Sequence, residues 1–358
     1  MKARKKKLLY NAVTFGLVIA AYILCEVLQN NGGMSRSFRG QLIPICCWIV
    51  MAVSLNLVVG ISGELSLGHA GFMSIGAFTG IILSGWLQKG FQMEDPTLRL
   101  TLAILAGALL AGIAGVLIGI PVLRLKGDYL AIVTLAFGEI IRNVIDCLYI
   151  SVDGQTLAFG FLDNKLPGEL LQNGPNGAVG VSKISTFTAG FILVMLTLII
   201  VLNLINSQSG RAIQAIRDAR IAAESVGIHV TKYRMMAFVV SAMLAGAAGA
   251  LYGLNFSTLV ASKFKFDQSI NVLVFVVLGG IGNTMGSMIS ATALTILPEK
   301  LREFGQYRML VYAIVLILVM LATNNPLFRS FWHRLGNTVR DRFRRKTPDQ
   351  SLKGGDAP

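Results

Sequence analysis

The sequence predicts an all-α polytopic membrane protein: a helical bundle of about 10 (8 to 10) transmembrane spans, with broken helices in two related halves. Three observations carry this. Of 358 residues, 54% are hydrophobic and only 14% charged, with a mean hydropathy of +0.66; an average soluble domain carries roughly 25% charge. The 38 glycines against 9 prolines suit closely packed membrane helices, whose small residues let backbones approach. The basic residues gather in separate stretches between apolar runs, as topology signals do.

Taken in order, residues 8–28 form the first span. Its basic start could pass for a signal peptide, but an apolar run of roughly 20 residues has the length of a full span, and no small-x-small cleavage site follows. Residues 42–60, 70–88, 100–124 and 129–147 continue the bundle, the last more polar than the others. An outer loop rich in Gly, Asn, Asp and Pro reaches about residue 183. Spans follow at 184–206, 235–256 and 308–324, with a short apolar pair at 268–282 and 284–298. Each arm of that pair is shorter than roughly 17 residues, so it is two short spans or a re-entrant hairpin. The organisation expected is a basic N-terminus with its first helix (1–41), a transmembrane domain (42–325) and a basic tail (326–358).

A formal net charge of +14 raises nucleic acid as a partner, but the positions of the charges favour membrane lipid instead. Lys2, Arg4, Lys5, Lys6 and Lys7 open the chain; Arg211, Arg217, Arg220, Lys232 and Arg234 sit between two spans; Arg329, Arg334, Arg340, Arg342, Arg344, Arg345, Lys346 and Lys353 end it. The positive-inside rule places all three regions, and so both termini, in the cytoplasm. Cys25, Cys46, Cys47 and Cys147 lie in or beside apolar segments without metal-ligand spacing, and read as small apolar side chains.

Two glycine-broken segments, GISGELSLGHAGF (60–72) and VLGGIGNTMGSM (277–288), occupy comparable places in the two halves. Unwound backbone is tolerated at membrane depth only where it is buried or lines a cavity, so such breaks point to a solute pathway; tight turns between ordinary helices are the plainer alternative. Glu64, Ser66 and His69 in the first segment need partners at that depth. In DYLAIVTLAFGEIIRNVID (128–146), Glu139 and Arg142 stand at i and i+3 on one helical face. They read as an ion pair that anchors packing or, with Thr134, as an edge of the solute route.

The charged stretch 207–234, SQSGRAIQAIRDARIAAESVGIHVTKYR, is a soluble-looking segment held at a membrane surface. Ile213, Ile216, Ala223 and Val226 fall near one side of a helix, and Gln214, Arg217, Asp218 and Glu224 elsewhere, so one side can enter an apolar groove. Asp218 is expected to N-cap a second short helix that ends at Gly227. An amphipathic helix lying on lipid is the alternative.

These residues carry a resemblance. GISGELSLGHAGFMSIGAF (60–78), LRLKGDYLAIVTLAFGEIIRN (123–143), GPNGAVGV (174–181), the segment 210–253 and VLGGIGNTMGS (277–287) are similar, in order, to the permease subunits of bacterial branched-chain amino acid ABC importers, of the LivM type. The resemblance implies an inner-membrane importer that also contains a LivH-type second permease, two cytoplasmic ATPases and a periplasmic amino-acid-binding protein. ATP and Mg would belong to the ATPases; this chain shows no G-x-x-x-x-G-K-[ST] loop, and no cofactor or enzymatic activity is expected of it. The resemblance makes 207–234 the coupling segment, with Ile213, Ile216, Arg217, Asp218, Arg220, Ala223, Glu224 and Gly227 at the ATPase. Many relatives carry an acidic residue where this chain has Arg220. Leucine, isoleucine and valine are the implied solutes, with urea, amides or other amino acids as alternatives. An ion-coupled secondary transporter using Glu64 or Glu139 is the rival class; it would need no docking segment.

Overall fold

A computed structural model describes residues 2–31, 35–125, 127–161 and 166–324. The chain divides into two compact units, residues 1–299 and 300–358. The expected basic tail lies outside the described residues.

The first unit is built on α1 (Lys2–Asn30), α2 (Arg36–Asn56), α3 (His69–Lys89), α4 (Pro96–Val122) and α5 (Asp128–Asp146). Then come strands β1 (Leu148–Asp153), β2 (Thr156–Phe161), β3 (Glu169–Asn173) and β4 (Ala178–Val179), and helices α6 (Phe187–Asn206), α7 (Gln208–Asp218), α8 (Arg220–Ser225) and α9 (Val230–Gly253). Strand β5 (Thr258–Leu259) and helices α10 (Phe266–Gly279) and α11 (Thr284–Lys300) follow. The second unit holds a 3₁₀ turn over Leu301–Tyr307 and α12 (Arg308–Asn324). Among the described residues six helical stretches are long and apolar enough to cross a membrane: Asn11–Gln29, Arg36–Ser62, His69–Lys89, Pro96–Val122, Phe187–Asn206 and Val230–Gly253.

The core is a packing of α3, α4 and α9 through small residues. Along α4, Ala103, Gly107, Ala111, Gly115 and Gly119 recur every fourth position on one face, while Leu105, Leu109 and Leu117 stand exposed on the other. That is the pattern of a helix with one side against protein and the other against hydrocarbon, because lipid is as apolar as leucine and only close backbone approach rewards association. The approach is extreme at Gly76 of α3, where a Cβ would lie 1.9 Å from the Gly246 carbonyl oxygen of α9.

One expectation needs correction. The outer stretch between α5 and α6 is not an open loop: β1 to β4, with β5 from beyond α9, form an antiparallel sheet in the order β2-β1-β3-β4-β5. The fold is therefore not all-α. Chain order puts this sheet at one end of α6 and α9, and α7 with α8 at the other. Cys46 and Cys47 are buried, Cys25 and Cys147 partly so, and all four are unpaired thiols.

Candidate functional site

The helical stretch that begins at Arg36 does not end as an α-helix. Leu57–Ser62 widens into a π-turn, and residues 63–68 are unwound before α3 starts at His69. Gly63 adopts φ +75, a conformation that side-chain-bearing residues rarely accept, and ends the turn. The helix is thus broken inside the first glycine-rich segment; the π-turn is buried throughout, and in the unwound stretch Glu64, Ser66 and Gly68 are buried while Gly63 and Leu65 are exposed.

Buried polar groups require partners, and the fold supplies most of them from other helices. Glu64 forms an ion pair with Arg234, near the start of α9, their side chains only 6% and 11% exposed. The Leu67 amide donates to Thr134 Oγ1 of α5 at 3.0 Å, and the threonine hydroxyl donates to the Ala131 carbonyl at 2.9 Å. The Ala70 amide donates to Ser269 Oγ of α10 at 3.1 Å. Ser54 Oγ donates to the Met51 carbonyl at 3.0 Å, which leaves His69 Nε2, 2.8 Å away, as donor to the same hydroxyl oxygen. The hydroxyls of Ser62 and Ser66 are buried without a hydrogen-bond partner among the described residues.

α5 is pressed against the break by absent side chains. A Cβ on Gly68 would sit 2.3 Å from the Thr134 carbonyl oxygen, and one on Gly71 2.9 Å from Gly138 Cα. One turn further along α5, Glu139 does two jobs. Its Oε1 accepts from the Phe266 amide at 3.0 Å, capping the N-terminus of α10, and its Oε2 meets Arg142 Nε at 2.8 Å. Arg142 also binds Asp146 Oδ2 and Asn143 Oδ1, each at 2.8 Å. A carboxylate at a helix N-terminus is favoured by the free amides and the helix dipole. Ile132, Ile140 and Val144 face outward from the same helix.

The second glycine-rich segment is a four-residue turn, 280–283, between α10 and α11, with Gly280 at φ +91 and Gly282 at φ +84. It abuts the first break: the Gly282 amide donates to Asn56 Oδ1 at 2.8 Å, and a Cβ on Gly60 would lie 2.4 Å from the Gly282 nitrogen. At about 1.5 Å rise per residue, the 14 residues of α10 cover roughly 21 Å, less than a bilayer core.

Helices α7 and α8 make up most of the charged segment, whose last residues, from Val230, open α9. Ser207 caps α7, accepting from the Gly210 amide at 3.1 Å. Asp218 does not cap α8: it is the last residue of α7, Ala219 holds the N-cap position with no side-chain bond, and the Asp218 carboxylate binds Arg217 Nε and Nη2, both at 2.9 Å. The expected stop at Gly227 is present as a left-handed residue, φ +83, with Gly227 N to Glu224 O and Ile228 N to Ala223 O, each 3.0 Å, closing a Schellman motif. Ile213, Ile216 and Ala223 are buried inside the chain itself. Ile213 packs with Leu57, Ile61 and Ala237, and Ile216 and Ala223 pack with Val230. The apolar side expected to enter a partner's groove is thus already covered, and Val226 (75% exposed) is joined by Ile221 (81%) on the free surface. Glu224 is exposed and Arg220 half-buried.

The sequence reading offered Glu64, Ser66, His69 and Thr134 as pathway candidates; the fold places the first three in or at the edge of the break and brings Thr134 of α5 against it. The sequence reading missed Arg234, counted only as a topology charge, along with Ser54, Asn56 and Ser269. The available signal was the rule that a buried acid needs a buried base, with Arg234 opening the next long apolar helix.

Similarity to known proteins agrees with this architecture. Residues 40–322 match the family model described as branched-chain amino acid transport system / permease component. The chain is 35% identical over 288 residues to the high-affinity branched-chain amino acid transport system permease protein LivM of Salmonella typhimurium, and 34% over 292 residues to that of Escherichia coli. Each alignment covers 76% of this chain and 66% of the relative, so the chain spans just under two thirds of their length. The ribose import permease protein RbsC of Haemophilus influenzae is 27% identical over 77% of this chain and 81% of its own. No solved structure matches. With six apolar helical stretches of crossing length among the described residues, the protein is a multi-pass membrane protein and belongs to the branched-chain amino acid transport permease family.

Proposed function

We propose that the chain is the transmembrane permease subunit of an ATP-driven importer for branched-chain amino acids. It receives solute from a periplasmic binding protein, pairs with a LivH-type second permease and is driven by two separate cytoplasmic ATPases that bind the ATP and Mg. The observation that carries this is the α7–α8 segment. It is a capped two-helix element seated on the end of the bundle opposite the sheet, with Ile221 and Val226 left uncovered beside Arg220 and Glu224. An ion-coupled carrier has no use for such a surface, and a helix lying on lipid would bury its apolar side in acyl chains rather than against its own fold. Basic clusters at the chain start and on this end support an inner-membrane protein with both termini cytoplasmic.

The solute route is proposed to run past the break between α2 and α3, edged by Glu64, Ser66, His69 and Thr134. Glu139 and Arg142 stand beside it and hold the entrance of α10. The α10–α11 pair is proposed as a re-entrant hairpin whose turn rests on Gly60, because α10 is too short to span and its turn is bonded to Asn56 and packed on Gly60 beside another break. Ser62 and Ser66, whose buried hydroxyls have no hydrogen-bond partner among the described residues, are placed in the break to meet a polar solute.

Expression with the predicted partner subunits and reconstitution in liposomes tests the proposal. The expected outcome is copurification of an ATPase and leucine accumulation that requires ATP and is competed by isoleucine and valine. Accumulation by the chain alone under a proton gradient would establish the ion-coupled alternative instead. Uptake competed by ribose or urea but not leucine would keep the class and change the solute.

A further inference from the structure

Arg217 reaches from the exposed segment into the break. It is the penultimate residue of α7, yet its Nη1 donates at 2.8 Å to the carbonyl of Gly60, in the π-turn. Carbonyls in the last turn of a helix lack partners of their own, and this one is met by a cation. The remaining nitrogens of the guanidinium do not float: Nε and Nη2 are fixed on Asp218 Oδ1 at 2.9 Å each, so the fork is held in orientation. The stem is fixed as well. A Cβ on Gly63 would lie 2.5 Å from Arg217 Cγ, so the aliphatic chain of the arginine lies directly on the residue where the helix unwinds.

Gly60 is also where the second glycine turn arrives, with Asn56 bonded to Gly282 one turn earlier. Beneath Arg217, Ile213 packs on Leu57 and Ile61 of the same π-turn. A displacement of α7 is therefore passed to the π-turn through the apolar packing of Ile213 and the charged hydrogen bond of Arg217. π-turns are rare, appear mostly as single turns within α-helices, and are frequent at functional sites.

We propose that Arg217 is the strut that transmits movement of α7 to the broken helix, and through Gly60 to the 280–283 turn. It rests on the reading of α7–α8 as the ATPase-docking segment. Arg217 is a positioning residue that touches no solute. Its removal is expected to leave the subunits able to assemble while separating ATP hydrolysis from solute movement.

The test uses the assembled importer in liposomes, measuring leucine taken up and ATP hydrolysed in the same vesicles. Arg217→Ala is expected to lower the leucine moved per ATP by about tenfold, the size of an ordinary coupling between sites. Arg217→Lys, which keeps one donor without the fork, should recover part of it. A general loss of stability would reduce both activities together and leave the ratio unchanged. An Arg217→Ala ratio equal to wild type overturns the inference alone, whereas failure of any ATPase to copurify with the unaltered chain overturns the docking reading and this strut with it. Should Arg217→Ala not assemble, Gly63→Ala, which pushes on the arginine stem, is read in its place with the same expected fall and the same overturning result.

Discussion

Arg234 of α9 forms an ion pair with Glu64 inside the unwound stretch between α2 and α3, and the two side chains are only 11% and 6% exposed. Neither charge could be left at that depth alone. Removing one partner of a buried pair costs about 3–5 kcal/mol, while replacing both by apolar groups is often neutral. Glu64→Ala is thus expected to lower the thermal midpoint of the detergent-solubilised protein sharply, and Glu64→Leu with Arg234→Met to recover most of it. Equal destabilisation by the single and double variants would show that the pair does not act as a unit. The double variant separates stability from transport: if Glu64 edges the route, uptake stays low after stability returns.

The close approach of Gly60 to Gly282 leaves no room for a methyl group. Gly60→Ala is expected to destabilise by about 1–3 kcal/mol, since overpacking forces backbone to shift, and to block uptake. Gly180, with nothing within 4 Å of its would-be Cβ though its φ is +73, serves as a comparison in which only backbone strain operates. Thermal midpoints of the two alanine variants give the contrast.

Glu139 holds two elements with one carboxylate: the α10 amide of Phe266 and the guanidinium of Arg142. Glu139→Gln keeps an acceptor for the amide and gives up the ion pair; Glu139→Ala gives up both. The alanine variant is expected to lose about 1–2 kcal/mol, in the range of a lost helix cap, and the glutamine variant less. Hydrogen exchange at the start of α10 should rise in the alanine variant first.

The exposed and buried halves of the charged segment separate by mutation. Ile221→Asp and Val226→Asp should leave the chain's own stability within about 0.5 kcal/mol, as surface changes do, yet abolish ATPase copurification. Ile213→Ala, buried against the π-turn, should cost about 2–5 kcal/mol. ATPase retained by both aspartate variants would place the docking surface elsewhere.

Much of this was legible in the sequence, and the reason is physical. A bilayer demands about 20 apolar residues per helix, so 42–60, 70–88, 100–124, 184–206 and 235–256 announced α2, α3, α4, α6 and α9 with small errors at the ends. Gly227, as a left-handed helix stop, was equally plain, because the need for positive φ is local. Asp218 as a cap was not, since its carboxylate is taken by Arg217 and the chain turns at Ala219 instead. The sheet was missed because its strands are short, carry glycines and prolines between them, and pair across a gap that includes α6 to α9.

Local chemistry determined where the chain crosses apolar surroundings, where it breaks, and that Glu64, Ser66 and His69 would need partners. Tertiary structure alone decided which partners these are: Arg234 for Glu64, Ser54 for His69, and Arg217 and Gly282 for the break at Gly60. Hydropathy and propensity act over a few neighbouring residues, whereas a buried charge is satisfied by whatever group packing brings to it, and that is a property of the whole fold.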